Sequence, residues 1–329
     1  MTCHPGMGKA REGSDFHPPW WLAPAHLQTI APALVTVGPP VELRHERHEL
    51  PDGDFVDLHW VGRERAAPVV VVIPGMQGSE RSGCVRSLLA EVQRQGLRAV
   101  VLCHRGGHVP NRLPGSYHAG FIEHLAWLVA GLKVRFPESP LHAVGFSLGG
   151  SMLIRYLAEA GAGAGFTSCA AVSVTFDLDD TATRACRGFN RVYQRRVLRS
   201  YLRATHLKAH VPEIAARLPA LGTVRSIRAF DEVITAPLHG FTDAGDYYRR
   251  CSSRQFLAGV KTPLLILNAA DDPLAPADTL PTPTSLSGSV RLELTRRGGH
   301  LGFLGRRGGS WRPYVPGRIL PFLLQGSGT

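Results

Sequence analysis

Three short stretches of this 329-residue chain carry residue types that could perform nucleophilic chemistry. Gly145-Phe146-Ser147-Leu148-Gly149 has the pattern Gly-x-Ser-x-Gly, which suits a sharp turn with no room for side chains beside the serine. Asp271 and Asp272 stand in Ala270-Asp-Asp-Pro273, and His300 stands in Gly298-Gly-His-Leu-Gly-Phe303. A neutral hydroxyl is a poor nucleophile. It needs a general base within hydrogen-bond reach, and the base needs an acid that orients it. Ser147, His300 and one of the two aspartates are the residue types for those roles. The serine motif alone is weak in a glycine-rich chain, where a bare turn is the competing reading, so its setting must decide.

That setting is a strand before and a helix after. Residues 141–146 form a short apolar run, the signature of a buried strand, and Met152, Leu153, Ile154, Tyr156 and Leu157 follow at helical spacing. A turn between them lifts the serine above the sheet edge and brings the free N–H groups of the helix N-terminus beside it. Further apolar runs predict strands at 68–73, 98–103, 168–175, 263–268 and 290–295, with helices near 81–94, 121–135 and 317–324. Residues 41–50 and 55–61 flank Pro51-Asp52-Gly53-Asp54 and predict an antiparallel hairpin. The alternation predicts an α/β protein, a mostly parallel sheet flanked by helices. Residues from about 177 to 250 break the rhythm. They are helical, basic and aromatic, and predict an inserted helical cap. Residues 1–15 read as a loose tail and 16–329 as one domain. In 15–30, two prolines followed by Trp20 and Trp21 predict an extended arm whose aromatics bury against the body, with a role in covering the substrate pocket as the lesser alternative.

This arrangement is that of the α/β-hydrolase fold, in which the partners follow in the order Ser, then Asp or Glu, then His, on loops after later strands. Asp271 and Asp272 follow the strand at 263–268, and His300 follows that at 290–295. The spacing in Asp272-Pro-Leu-Ala-Pro276, acid then apolar then proline, favours Asp272 over Asp271, which is left to cap the loop or face solvent. His104, His108 and His118 also lie near strand ends. They precede the nucleophile, the wrong order for this fold, and are assigned to loop hydrogen bonds or pocket lining. The tetrahedral intermediate needs two converging N–H donors. Topology nominates the backbone N–H groups of Leu148, just after the nucleophile, and Met76, in the loop Pro74-Gly-Met-Gln-Gly-Ser79.

The chain resembles the YheT-like family of α/β hydrolases, which includes the eukaryotic abhydrolase-domain proteins 1, 2 and 3. The likeness runs from Phe16 to about Leu324. It rests on Pro18-Pro-Trp-Trp-Leu22, His26-Leu-Gln-Thr29, Pro74-Gly-Met-Gln-Gly-Ser79, His104-Arg-Gly-Gly107, Pro110-Asn-Arg-Leu113 and Tyr117-His-Ala-Gly-Phe121. It continues in Gly145-Phe-Ser-Leu-Gly-Gly150, Phe230-Asp-Glu232, Thr235-Ala-Pro237, Asp246-Tyr-Tyr248, Ala270-Asp-Asp-Pro273 and Gly298-Gly-His-Leu-Gly-Phe303. The resemblance implies a serine carboxylic-ester hydrolase without metal or organic cofactor, a triad of Ser147, Asp272 and His300, and short- or medium-chain acyl esters, including lipids, as substrates. Two features depart from the family pattern. Cys103-His-Arg-Gly-Gly107 stands where Asn-Phe-Arg-Gly-Cys is frequent, and the N-terminal membrane anchor of the eukaryotic members is not seen.

Composition narrows the alternatives. With 44% hydrophobic and 19% charged residues the chain can bury a substantial core. The net charge of +11 comes from scattered arginines without a long basic run, and reads as a solvated basic surface, not a nucleic-acid site. Weak association with an anionic membrane surface fits that charge. The six cysteines lack metal or redox spacing and read as small core residues in a reducing compartment. No signal-peptide pattern or spanning run occurs, which predicts a cytoplasmic protein. The residues leave open a thioesterase or amidase using the same triad, and a binding module that keeps the fold without the chemistry.

Overall fold

The computed structural model describes residues 11–12, 16–34, 40–62, 67–107, 109–307 and 310–325. Among them, nine strands form one sheet: β1 (Arg11–Glu12), β2 (Arg44–Glu49), β3 (Phe55–Val61), β4 (Val69–Ile73), β5 (Arg98–Cys103), β6 (Leu141–Phe146), β7 (Ser168–Val172), β8 (Leu264–Ala269) and β9 (Val290–Thr295). Their order is β1-β9-β8-β7-β6-β4-β5-β3-β2. Pairing is parallel from β1 to β5, and β3 and β2 are added antiparallel. The valine run of β4 is central because every residue in it is buried, as a strand covered on both faces requires. Val69, Val71 and Ile73 face one core layer and Val70 and Val72 the other.

Helices cover both faces. The helix α3 (Glu123–Arg135) and the helix α4 (Leu148–Ala160) pack on one side, through Leu125, Leu128, Leu132, Leu153 and Leu157. The helix α2 (Gly83–Arg94) and the closing helix Tyr314–Leu324 pack on the other, through Val85, Leu88, Val92, Ile319 and Leu323. After β4 the chain goes to β5 on one side and then to β6 on the other. Strand order therefore reverses at β4, and a crevice opens at the carboxyl ends of β4 and β6. Between β7 and β8 lie the helices α5 (Leu178–Ala185) and α6 (Asn190–His206), several short turns and the helix Ala244–Cys251. Residues 231–235 form a single π-helical turn.

The N-terminal region departs from expectation. Residues 25–34 form a helix, α1, instead of continuing an extended arm, and Trp20–Leu22 form a 3₁₀ turn before it. The tryptophans are not buried, with Trp20 86% and Trp21 43% exposed. The burying residues are Phe16 and Leu22. The expectation failed because Pro32 inside α1 and its lack of charged periodicity hide the helix. Of the expected loose tail 1–15, only Arg11–Glu12 are described, and they pair with β9. The strand expected at 168–175 ends at Val172, because Ser173 turns out of the ladder at φ 52°. A second hairpin, β10 (Leu304–Arg307) with β11 (Ser310–Pro313), carried no sequence signal that was read. Cys103, Cys169 and Cys251 are buried as expected, whereas Cys186 is exposed. Cys3 lies outside the described residues.

The elbow between β6 and α4 sets the tightest packing. A Cβ on Gly149 would lie 2.3 Å from the Ile73 carbonyl oxygen and 2.4 Å from that of Pro74, and one on Gly145 would lie 2.6 Å from the Gly149 oxygen. These contacts are with backbone, so no rotamer change relieves them. Gly149→Ala is expected to lower the unfolding free energy in urea by about 2–4 kcal/mol. Stability equal to that of the parent would remove the close-approach account of this glycine.

Candidate active site

Ser147 occupies the turn at φ 51°, ψ −117°, a backbone conformation that L-residues rarely adopt. The turn is fastened on both sides. The Ser147 N–H donates to the Val172 carbonyl at 2.8 Å, and its own carbonyl accepts from Gly150 and Ser151 at 2.9 and 3.1 Å. The Ser147 Oγ lies 2.9 Å from His300 Nε2, and His300 Nδ1 lies 2.8 Å from Asp272 Oδ2. Asp272 is 0% exposed. Its other oxygen accepts the N–H groups of Leu274 and Ala275 at 2.8 and 3.0 Å, which fixes the carboxylate with one edge toward the imidazole. Asp271 lies elsewhere. It accepts the Gly299 N–H at 2.9 Å, and burial pushes its carboxyl above the usual range.

The loop that carries His300 is pinned residue by residue. Its three consecutive N–H groups each find a side-chain oxygen: Gly299 on Asp271, His300 on Thr29 Oγ1 at 2.9 Å, and Leu301 on Ser173 Oγ at 3.1 Å. The loop also presses against α1. A Cβ on Gly299, at φ 56°, would lie 2.4 Å from the Ala25 oxygen, and one on Gly302 2.3 Å from the Gln28 oxygen. Buried Gln28 accepts the Leu304 N–H at 2.9 Å and donates to the Leu304 carbonyl at 3.0 Å. Sequence reading missed Thr29, Gln28 and Ser173. The one available signal was the motif His26-Leu-Gln-Thr29, noted without a role.

A cavity of about 430 Å³ opens beside the serine. Its apolar wall includes Met76, Leu148, Leu178, Val197, Ile227 and Leu274. Met76, in the loop after β4, and Leu148, the first residue of α4, thus reach the cavity beside Ser147. The N–H of a first helical residue has no acceptor within its helix. The neighbouring Gln77 N–H is taken by Tyr117 Oη at 2.7 Å. His104 and His118 stand away from the serine–imidazole pair. His104 is buried and stacks on Tyr117 at 4.5 Å, with Nε2 2.9 Å from the Pro74 oxygen, and burial pushes it down to about 4. The His118 ring packs tilted against His239 at 4.4 Å, and burial lowers it to about 3. His108 lies outside the described residues. One group able to hold a metal occurs among the described residues, His59, Glu80 and Cys103, with donor atoms within 4.8 Å of one another. Arg81 already pairs with that glutamate, and none of the three lines the cavity.

A mostly parallel sheet with a serine turn at its order reversal defines an α/β hydrolase, and the family model described as the alpha/beta hydrolase fold matches residues 68–306. Within that class the chain belongs to the YheT-like family. It is 39% identical over 299 residues to the protein named "Putative esterase YheT" of Escherichia coli (strain K12), covering 89% of this chain and 88% of that one. It is 30% identical to "Phospholipase ABHD3" of Mus musculus, over 88% of this chain and 73% of that one. Among solved structures, the Pyrococcus furiosus esterase Pf2001 superposes with a TM-score of 0.56 at 18% identity, covering 89% of this chain and 98% of the other, a likeness of fold.

The cavity holds one carboxyl that sequence reading did not single out. Asp231, from the Phe230-Asp-Glu motif, is buried in its wall, accepting from Thr235 Oγ1 at 2.6 Å and from Tyr248 Oη at 2.7 Å. Burial outweighs these hydrogen bonds and raises its carboxyl from the usual 3.8 to about 6. A folded-state value above the unfolded one means that the native state holds the proton more tightly. The group's unfavourable contribution is then absent below about pH 4 and complete above about pH 6. Between about pH 4 and pH 7, the stability of Asp231→Asn relative to the parent should rise by on the order of 2–3 kcal/mol in urea titrations. A difference independent of pH would contradict the burial of an ionising carboxyl here.

Proposed function

We propose that this chain is a serine carboxylic-ester hydrolase acting on short- or medium-chain acyl esters, lipids among them. The observation that carries the reading is the continuous hydrogen-bonded line Ser147–His300–Asp272, ending beside an apolar cavity. In this reading the Ser147 Oγ attacks the acyl carbonyl while His300 Nε2 takes its proton. Asp272 holds the Nδ1–H tautomer and stabilises the imidazolium that forms. The carbonyl oxygen, now negative, is received by the N–H groups of Met76 and Leu148. Collapse of the intermediate breaks the ester C–O bond, and His300 returns the proton to the leaving alcohol. Water, deprotonated by the same imidazole, then attacks the acyl-serine and regenerates the hydroxyl. The helical segment 177–250 acts as a cap, since α5, α6 and Tyr247–Tyr248 supply much of the cavity wall.

The relatives named as an esterase and a phospholipase support an ester substrate over a thioester or amide. Among the described residues no helix is long and apolar enough to cross a membrane.

The test is labelling by a fluorophosphonate, which phosphonylates a serine activated by its base and oxyanion hole. The parent should be labelled and Ser147→Ala should not, with turnover of acyl esters of p-nitrophenol falling by roughly 10⁴-fold or more. Asp272→Asn should keep the fold and lose on the order of 10³–10⁴-fold in kcat, whereas Asp271→Asn should lose far less. Labelling or turnover undiminished in Ser147→Ala would reject the nucleophile. A folded parent inert to the probe would favour the binding-module reading.

A further inference from the structure

The helix α6 carries Arg191, Arg195, Arg196, Arg199 and Arg203 and no acidic residue. All five are exposed, and among the described residues none has a hydrogen-bond, ion-pair or ring partner for its guanidinium. Neighbouring elements are built differently. Arg184 pairs with Asp180 and Asp278, and Arg249 and Arg250 with Asp246. Arg191, Arg195, Arg199 and Arg203 stand four residues apart, so they form one stripe in which each cation repels the next. Such a stripe is unfavourable in isolation and is relieved by an external anion.

Exposed apolar side chains lie at the head of the stripe. Phe189 and Val192 are about half exposed, and the His26 ring of α1 packs on Phe189 at 4.6 Å and hydrogen-bonds to Tyr193 at 3.0 Å. Exposed Leu27 follows His26, and exposed Trp20 and Trp21 precede α1, with Trp21 edge-on to Trp311 at 5.5 Å. Both helices reach the cavity, α1 through Thr29 and Pro32 and α6 through Tyr193, Arg196 and Val197. The exposed members of the cavity lining are Arg81, Arg86 and Arg196, so the opening is rimmed by cations. Indoles and aliphatic groups beside unpaired guanidiniums match the headgroup–acyl boundary of a bilayer, where apolar groups enter and arginines meet lipid phosphates.

We propose that α6, with the Trp20–Leu27 segment, is a docking face for an anionic phospholipid bilayer, presenting the cavity mouth to the lipid. The purpose of docking rests on the acyl-ester reading, but binding does not, so binding is measured on the Ser147→Ala chain, which leaves lipids intact. The probe is vesicles of phosphatidylcholine alone or with about 30% phosphatidylglycerol, read by co-sedimentation. The chain should bind the anionic vesicles and bind the neutral ones at least roughly 10-fold more weakly, with affinity falling as salt rises. The triple change R191E/R195E/R199E should weaken anionic binding roughly 100-fold. The charge-matched change R94E/K133E/K261E, on the connections entering the amino ends of β5, β6 and β8 and away from the cavity, should leave it within about threefold. F189S/V192S should weaken it roughly 10-fold without changing the net charge. No binding to anionic vesicles, equal loss in the two charge-reversed chains, or binding to duplex DNA and not to vesicles would each overturn the proposal.

Discussion

The structure depends on a turn that its residue does not favour. Ser147 is held at positive φ between a buried strand and a helix, a conformation that costs on the order of 1–3 kcal/mol for a side-chain-bearing residue. That cost is offset by packing on every side. The strand β6 is buried throughout, α4 is buried along its first turns, and Gly145 and Gly149 let the backbones of β4, β6 and α4 approach closely. Among the described residues, the other side-chain-bearing residues at positive φ are Gln77, Ser173, Leu301 and Phe303. Gln77 lies in the loop after β4, Ser173 follows β7, and Leu301 and Phe303 follow His300. Strain is thus concentrated on the loops around one hydroxyl and is absorbed by a sheet rigid enough to hold them.

A base on a loop must be as well fixed as the nucleophile on its elbow. Here the fixing comes from far away in sequence. Thr29 of α1 takes the N–H of His300 itself and Gln28 grips Leu304 four residues on, while Asp271 and Ser173 take the N–H groups on either side of the imidazole-bearing residue. The N-terminal helix is therefore part of what positions the imidazole, although the hairpin and more than a hundred residues of sheet separate them in sequence. Gly299 and Gly302 are needed because a helix backbone lies where their side chains would be.

The sheet was largely legible in the sequence because its strands are buried on both faces and so read as unbroken apolar runs, as at Val69–Ile73 and Leu264–Ala269. Ser147 and the aspartate pair were legible because each sits in a glycine- or proline-marked loop that follows such a run, and His300 because its glycine-marked loop follows the alternating strand Val290–Thr295. The choice between adjacent aspartates depends on which one turns an edge toward the ring, a matter of loop geometry that spacing only suggests. The helix α1 was hidden by an internal proline, and the tryptophans of the turn before it misled because aromatic residues usually mark burial, whereas here Phe16 and Leu22 take that role. Hydrogen bonds such as Thr29 to His300 leave no periodic trace. They join single polar residues across the fold, and only the assembled structure brings them together.

Three carboxyls near the reacting centre are sorted by the donors they receive. Asp272 has two backbone N–H groups on one oxygen and an imidazole on the other. Asp271 has the Gly299 N–H and serves the loop. Asp231, on the cavity wall, receives the hydroxyls of Thr235 and Tyr248, and burial dominates its protonation. The first two follow β8 in the sheet, and the third lies in the segment inserted between β7 and β8. This division separates the groups that face the serine and imidazole from those that shape what surrounds them. The elbow and its partners are constrained by backbone contacts that tolerate little change. The inserted helices meet the sheet mainly through side chains, and can alter the cavity's size, polarity and outer charge while the hydrogen-bonded line beneath keeps its geometry.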